Sequence, residues 1–313
     1  MNASLAMVFP GQGAQSVGMV AALAGEFPEL EARYRAASSV LGCDLWKLVN
    51  EGPADELNQT RNTQPALLAA SVGIWDVWCR LGGARPALMA GHSFGEYSAL
   101  VCAGALRYED AVQLVATRGR LMQEAVAPGE GAMAAILGLD LAVLQAACRE
   151  AASDGVVDCA NLNAPGQVVI SGSRDAVTRA GEIAKARGAK KVVPLAVSVP
   201  AHSGLMMAAA ARFESHLAAV EFAAPSIPVV HNVDVETHDA PADIRAALLA
   251  QLARPVRWQE TIERFARSGV SRALECGPGK VLGPLIKRCA DGIVTMPIAT
   301  PADLRTALAS LNQ

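Results

Sequence analysis

Apolar and polar positions change period several times along the chain, and each change marks an element. Leu5-Ala6-Met7-Val8-Phe9 is an unbroken apolar run that reads as a buried strand. It breaks into Pro10-Gly11-Gln12-Gly13-Ala14-Gln15-Ser16, a tight loop, before a helical pattern from about Val17. Helical spacing over 28–41 and 63–81 predicts two helices that cover a sheet, the second closed by Gly82-Gly83 and holding Gln64 and Pro65 in its expected first turn. Leu88-Met89-Ala90 is a second strand candidate, running through a glycine-flanked turn into another helix. Residues 108–126 form an amphipathic helix with Ala111, Leu114, Val115, Leu121, Met122 and Ala125 on one stripe.

The pattern then shifts. Strands are expected at 131–137, 156–161, 167–171 and 191–199, with helices at 141–152 and 176–187, and Asn163-Ala164-Pro165-Gly166 turning the central hairpin. The order βαββαβ predicts a ferredoxin-like unit, bounded by Pro128-Gly129 and Pro200. We therefore expect an α/β protein with a large domain on a parallel sheet (1–128 and 201–313) and an inserted small domain (129–200). The crevice between them is the natural site. The chain re-enters the large domain at Ser198-Val199-Pro200-Ala201-His202-Ser203, followed by an alanine-rich helix to about Ala219. A strand at 227–232, helices at 242–251 and 256–267, and a strand at 273–276 complete the reading. Gly277-Pro278-Gly279-Lys280 then leads into a last helical stretch.

Composition narrows the function. With 313 residues, 52% hydrophobic and 18% charged, the chain can bury a substantial core. A net charge of −3 and 4% aromatics disfavour nucleic-acid binding. Seven cysteines, odd in number and without a C-x-x-C pair, indicate neither a disulfide framework nor a zinc site, and fit reduced thiols in the cytoplasm. No signal-like start or membrane-length apolar run is present, so neither secretion nor membrane insertion is expected.

The candidate chemistry centres on Gly91-His92-Ser93-Phe94-Gly95, a G-x-S-x-G elbow between strand and helix. Its glycines permit close backbone approach, so that Ser93 stands exposed beside a helix N-terminus suited to an oxyanion. A serine in an ordinary glycine-rich turn is the plainer alternative. The Pro10–Ser16 loop lacks the third glycine of a dinucleotide fingerprint, and Gly277–Lys280 lacks the first glycine and the Ser/Thr of a P-loop. Arg118 lies on the apolar stripe of its helix. A guanidinium aimed at a core requires an anion, either a protein carboxylate or a ligand's. Gln64 is a helix cap or a site residue. Of five histidines, His202 lies at a strand-to-helix boundary beside the crevice and is the best general base, His92 being expected to point away from Ser93.

Pro10-Gly11-Gln12-Gly13-Ala14-Gln15, Gln64-Pro65, Gly91-His92-Ser93-Phe94-Gly95-Glu96, Ala116-Thr117-Arg118-Gly119 and His202 together resemble the malonyl-CoA:acyl-carrier-protein transacylases over nearly the whole chain. The resemblance implies an α/β-hydrolase-like domain carrying a ferredoxin-like insertion, and malonyl transfer through an acyl-serine without a cofactor. It implies that Ser93 is acylated with His202 as its base and Arg118 pairing with the malonyl carboxylate. Backbone amides of Gln12 and Phe94 would form the oxyanion hole, Gln64 would line the site, and the Gln251 carbonyl would orient His202. Phe94 and Ala201 stand where the family more often has leucine and serine. Malonyl-CoA and an acidic acyl carrier protein are the implied partners of a monomer; Lys190, Lys191, Lys280, Lys287 and Arg288 are candidates to meet the carrier near the crevice, ordinary solvated charges being the plainer alternative. A serine thioesterase or hydrolase, a polyketide-pathway acyltransferase and a nucleotide-binding module are the alternatives.

Overall fold

The computed structural model describes residues 2–197 and 199–311. Strands β1 (Asn2–Phe9) and β2 (Pro86–Gly91) precede β3 (Gly131–Leu137), β4 (Val157–Ala164), β5 (Gln167–Ser173) and β6 (Lys191–Pro194). Strands β7 (Val229–Val230), β8 (Arg272–Glu275) and β9 (Val294–Pro297) follow. The chain is α/β. Five strands form a parallel sheet in the order β7-β2-β1-β8-β9. β1 is central, and its apolar run is continuous because both faces are covered: Leu5, Met7 and Phe9 enter one core, Ala6 and Val8 the other. Phe9 pairs with Gly91, so β1 and β2 end level, and the Pro10–Ser16 loop and the serine turn emerge side by side.

The remaining strands form a separate antiparallel sheet in the order β4-β5-β3-β6. Helices Leu141–Ala151 and Arg174–Ala186 pack on it, giving the expected succession of strand, helix, two strands, helix, strand. Ala134 and Ile136 of β3 face that core, whereas Met133 turns to the opposite side, towards the serine.

Three elements depart from expectation. The second long helix is Thr60–Arg80, not 63–81, so Pro65 lies in its second turn and not its first. The added turn has a tertiary partner: the Arg61 N–H, free of any intrahelical acceptor at the helix start, donates to Gln123 Oε1. Strand β7 has two residues instead of six, because beyond it the Asn232 N–H is taken by the Glu96 carboxylate. β6 stops at Pro194; the Leu195 N–H still donates to the Met133 carbonyl of β3, and Leu195, Ala196 and Val197 line a cavity. Of the strand expected to Val199, Ser198 lies outside the described residues. Helices Leu45–Glu51 and Ala54–Leu57, strand β9 and helix Pro301–Leu311 are short or lack clear periodicity, and sequence reading passes over them.

Gly277–Lys280 has a packing role. A Cβ at Gly277 would lie 2.4 Å from Pro10 Cγ. The Glu275 carboxylate accepts the Val281, Leu282 and Gly283 N–H groups that open helix Leu282–Cys289. Among the described residues no helix is long and apolar enough to cross a membrane.

Candidate active site

The turn after β2 is built by two glycines that no other residue can replace. A Cβ on Gly91 would fall 1.9 Å from the Gly95 carbonyl carbon, and one on Gly95 would fall 2.5 Å from the Phe9 carbonyl oxygen. Between them Ser93 takes a left-handed φ of 53°, costly for a residue with a side chain. Asn232 holds the turn from outside. Its Oδ1 accepts the Ser93 N–H at 2.7 Å, and its Nδ2 donates to the Gly91 carbonyl at 2.7 Å. Helix Gly95–Cys102 starts directly behind the serine.

His202 arrives from the other side of the crevice, also left-handed, with φ 61°. Its Nδ1 lies 2.7 Å from the Gln251 carbonyl, which can only accept, so Nδ1 carries the proton. Nε2 is therefore the free lone pair, and it accepts from the Ser93 hydroxyl at 2.7 Å. Burial holds the His202 pKa down to about 3, reinforced by the charge of Arg118 and opposed by the Gln251 carbonyl. The imidazole is neutral at ordinary pH and ready to take a proton.

Arg118 projects from helix Tyr108–Glu124 and is 1% exposed. Among the described residues no carboxylate pairs with it directly. Its Nη2 donates to Gln251 Oε1 at 3.0 Å and lies 3.5 Å from Ser93 Oγ, the guanidinium sits 5.9 Å from the Tyr97 ring centre, and Nε is buried without a partner. Burial lowers its pKa, while Tyr97 and Glu96 act in the opposite direction. An arginine keeps its charge in such a place, so the site holds an under-satisfied cation beside its nucleophile.

Ser93, His202, Arg118 and Gln251 thus form one hydrogen-bonded group, and Gln12, Gln64 and Phe94 join Ser93 around a cavity of about 530 Å³. Gln64 is buried, with Nε2 at 3.8 Å from Met122 Sδ and Oε1 unpartnered. The Gln12 and Phe94 N–H groups have no protein acceptor among the described residues. Met133, Asn161 and Leu195 close the cavity from the antiparallel-sheet side. His92 makes no bond to Ser93; its Nε2 lies 2.8 Å from Asn163 Oδ1, although the ring still lines the cavity. Among the described residues no cluster of three or more His, Cys, Asp or Glu is placed to hold a metal.

Sequence reading missed the group behind the serine. Glu96 is fully buried. Its Oε1 accepts from His231 Nδ1 at 2.6 Å, and its Oε2 from the Asn232 N–H at 2.9 Å and Gln251 Nε2 at 2.8 Å. Burial alone would lower the pKa of His231, but the Glu96 carboxylate outweighs it and the pKa is raised. One signal was available: Glu96 is the single charged residue in Gly95-Glu96-Tyr97-Ser98-Ala99-Leu100-Val101-Cys102.

The family described as acyl transferase domain matches residues 6–296. A malonyl CoA-acyl carrier protein transacylase of Salmonella typhimurium is 54% identical over 303 residues, covering 97% of this chain and 98% of that one. The Bacillus subtilis protein of the same name is 42% identical over 310 residues, covering 99% and 98%. Among solved structures, an acyl carrier protein S-malonyltransferase from Vibrio cholerae superposes with a TM-score of 0.95 at 51% identity, covering 97% and 99%. A malonyl-transacylase in complex with a type II polyketide-synthase acyl-carrier protein gives 0.97 at 53% identity, covering 98% and 99%. A serine–histidine pair beside a buried arginine, on a fold shared over nearly the whole length with these enzymes, identifies the chain as a member of the acyl transferase family, within its malonyl CoA-acyl carrier protein transacylases.

Proposed function

We infer that this protein transfers the malonyl group from malonyl-CoA to the phosphopantetheine thiol of an acyl carrier protein, through a malonyl ester on Ser93, supplying fatty-acid synthesis from the cytoplasm as a monomer. The observation that carries the reading is Arg118, a buried guanidinium with an unpartnered Nε whose Nη2 lies 3.5 Å from the Ser93 hydroxyl. A free carboxylate one methylene away from a thioester carbonyl suits that cation, whereas a general esterase has no use for it.

In the first half-reaction Ser93 Oγ attacks the thioester carbonyl while His202 Nε2 takes its proton. The Gln12 and Phe94 N–H groups meet the tetrahedral oxyanion, the carbon–sulfur bond breaks, and the histidinium returns the proton to the CoA thiolate. In the second, His202 deprotonates the carrier thiol, the sulfur attacks the malonyl ester, and Ser93 recovers its proton from His202 as the acyl–oxygen bond breaks. Gln251 orients His202 through its carbonyl, and Gln64 lines the acyl pocket. We read residues 1–128 and 201–313 as an α/β-hydrolase-like domain and 129–200 as a ferredoxin-like insert, the strand order β4-β5-β3-β6 supporting the latter.

Intact-mass analysis after addition of malonyl-CoA tests the reading. A malonyl adduct that forms on Ser93 and disappears on addition of phosphopantetheinylated carrier is expected, and Ser93→Ala gives none. An adduct lost equally fast without carrier would indicate a hydrolase. A polyketide carrier is the second reading, favoured by the similarity to a transacylase solved with one; carrier proteins from both pathways, compared as acceptors, separate the two.

A further inference from the structure

Gln251 touches both halves of the reaction. Its backbone carbonyl holds His202, and its side-chain Oε1 holds Arg118. A glutamine amide has two ends of opposite polarity, and only one orientation works here. Turned the other way, its NH2 group would face a guanidinium, donor against donor. The orientation is fixed from behind: Nε2 donates to the Ser93 carbonyl at 3.0 Å and to Glu96 Oε2 at 2.8 Å, so both its hydrogens are committed. Glu96 is in turn fixed by the His231 ring and the Asn232 N–H, groups it meets only as an acceptor.

We propose that Glu96 is a positioning residue that acts through the Gln251 side chain, keeping its carbonyl end towards Arg118 and so setting the guanidinium plane that receives the substrate carboxylate. The proposal rests on the reading of Arg118 given above. What matters for it is reach, the placing of one acceptor oxygen against Gln251 Nε2. Glu96→Gln retains reach: its oxygen can serve Gln251 and Asn232 while its NH2 faces His231 Nδ1. The ring adapts by moving its proton to Nε2, which has no partner among the described residues. Glu96→Asp retains charge but withdraws the carboxylate by one methylene.

The experiment compares kcat/KM for malonyl-CoA and acetyl-CoA in wild type, Glu96→Gln, Glu96→Asp and Arg118→Ala, with thermal melts to establish folding. Glu96→Gln is expected to keep the malonyl-to-acetyl ratio within a few-fold, and Glu96→Asp to lower it by about tenfold or more, the scale of one lost hydrogen bond to a charged group. Gln251→Met should remove the difference between the two Glu96 variants, because the residue they act through is gone. A ratio unchanged in Glu96→Asp, or lowered equally in Glu96→Gln, would overturn the proposal. If Arg118→Ala loses both substrates equally, the reading of Arg118 fails instead, so the two failures are distinguishable.

Discussion

At the scale of single residues the site is governed by what burial does to charge. His202 titrates near 3 where a free imidazole has 6.5, because a buried cation beside Arg118 is unfavourable. Between those values the unfolded chain binds the proton and the folded one does not. Stability therefore rises with pH across that window, is complete above it, and falls as pH drops. Catalysis follows the folded value. Single-turnover acylation of Ser93 is expected to stay flat from pH 8 to pH 5, and an inflection near 6.5 would show that His202 protonates as a free imidazole does. Arg118 presents the opposite case, a charge that burial cannot remove. Removing one partner from a buried ion pair costs about 3–5 kcal/mol, so Arg118→Ala should lose about a hundred-fold to several thousand-fold in malonyl-CoA turnover. Acetyl-CoA brings no carboxylate and should be spared. Steady-state kinetics with both thioesters give the comparison.

Among elements, close approaches of backbone decide where side chains meet. The serine turn works because Gly91 and Gly95 let helix Gly95–Cys102 pack against the end of β1. Helices Tyr108–Glu124 and Thr60–Arg80 meet in the same way at Gly119, where a Cβ would lie 2.7 Å from the Thr60 carbonyl oxygen and 2.8 Å from Arg61 Cα. Gly119→Ala is expected to cost about 1–3 kcal/mol of stability by overpacking. Because it adjoins Arg118, it should also raise KM for malonyl-CoA more than for acetyl-CoA. Chemical denaturation and kinetics measure the two effects; a stability loss with equal changes in KM would mean that the guanidinium is not displaced with its helix. Asn232→Ala should likewise slow Ser93 acylation, since the left-handed serine loses the acceptor of its N–H.

For the whole molecule, the cavity exists only where the two sheets' elements meet, with Met133, Asn161 and Leu195 on one side and Ser93, Gln64 and Arg118 on the other. A carrier protein delivering its thiol there must dock across that mouth. Lys190, Lys191 and Lys287 are exposed, whereas Lys280 lies 3.6 Å from Asp303 and Arg288 donates to the Pro165 carbonyl. We expect an acidic carrier to bind more weakly as salt rises, because exposed charges are screened within about 10 Å at 0.1 M. Charge reversal at Lys191 or Lys287 should weaken it further. Affinity measured by titration calorimetry at two ionic strengths tests this, and constancy would remove electrostatic docking from the account.

Local physics made much of this legible in the chain. The apolar run 5–9, the βαββαβ succession, the glycine-flanked Ser93 and the misplaced charge of Arg118 each follow from period, sterics or desolvation acting over a few residues. The family resemblance supplied Gln251 and Gln12, which no local rule marks. Long-range contact decided the rest. The Thr60 turn is helical because Gln123 satisfies it, β7 ends early because Glu96 takes the Asn232 N–H, and His92 turns to Asn163 across the crevice. The hidden group of Glu96, His231, Asn232 and Gln251 joins positions 155 residues apart at its widest bond between Glu96 and Gln251. Spacing along a sequence encodes which faces are apolar, but a buried polar group finds its partner only after the faces have packed, and that choice belongs to the tertiary structure.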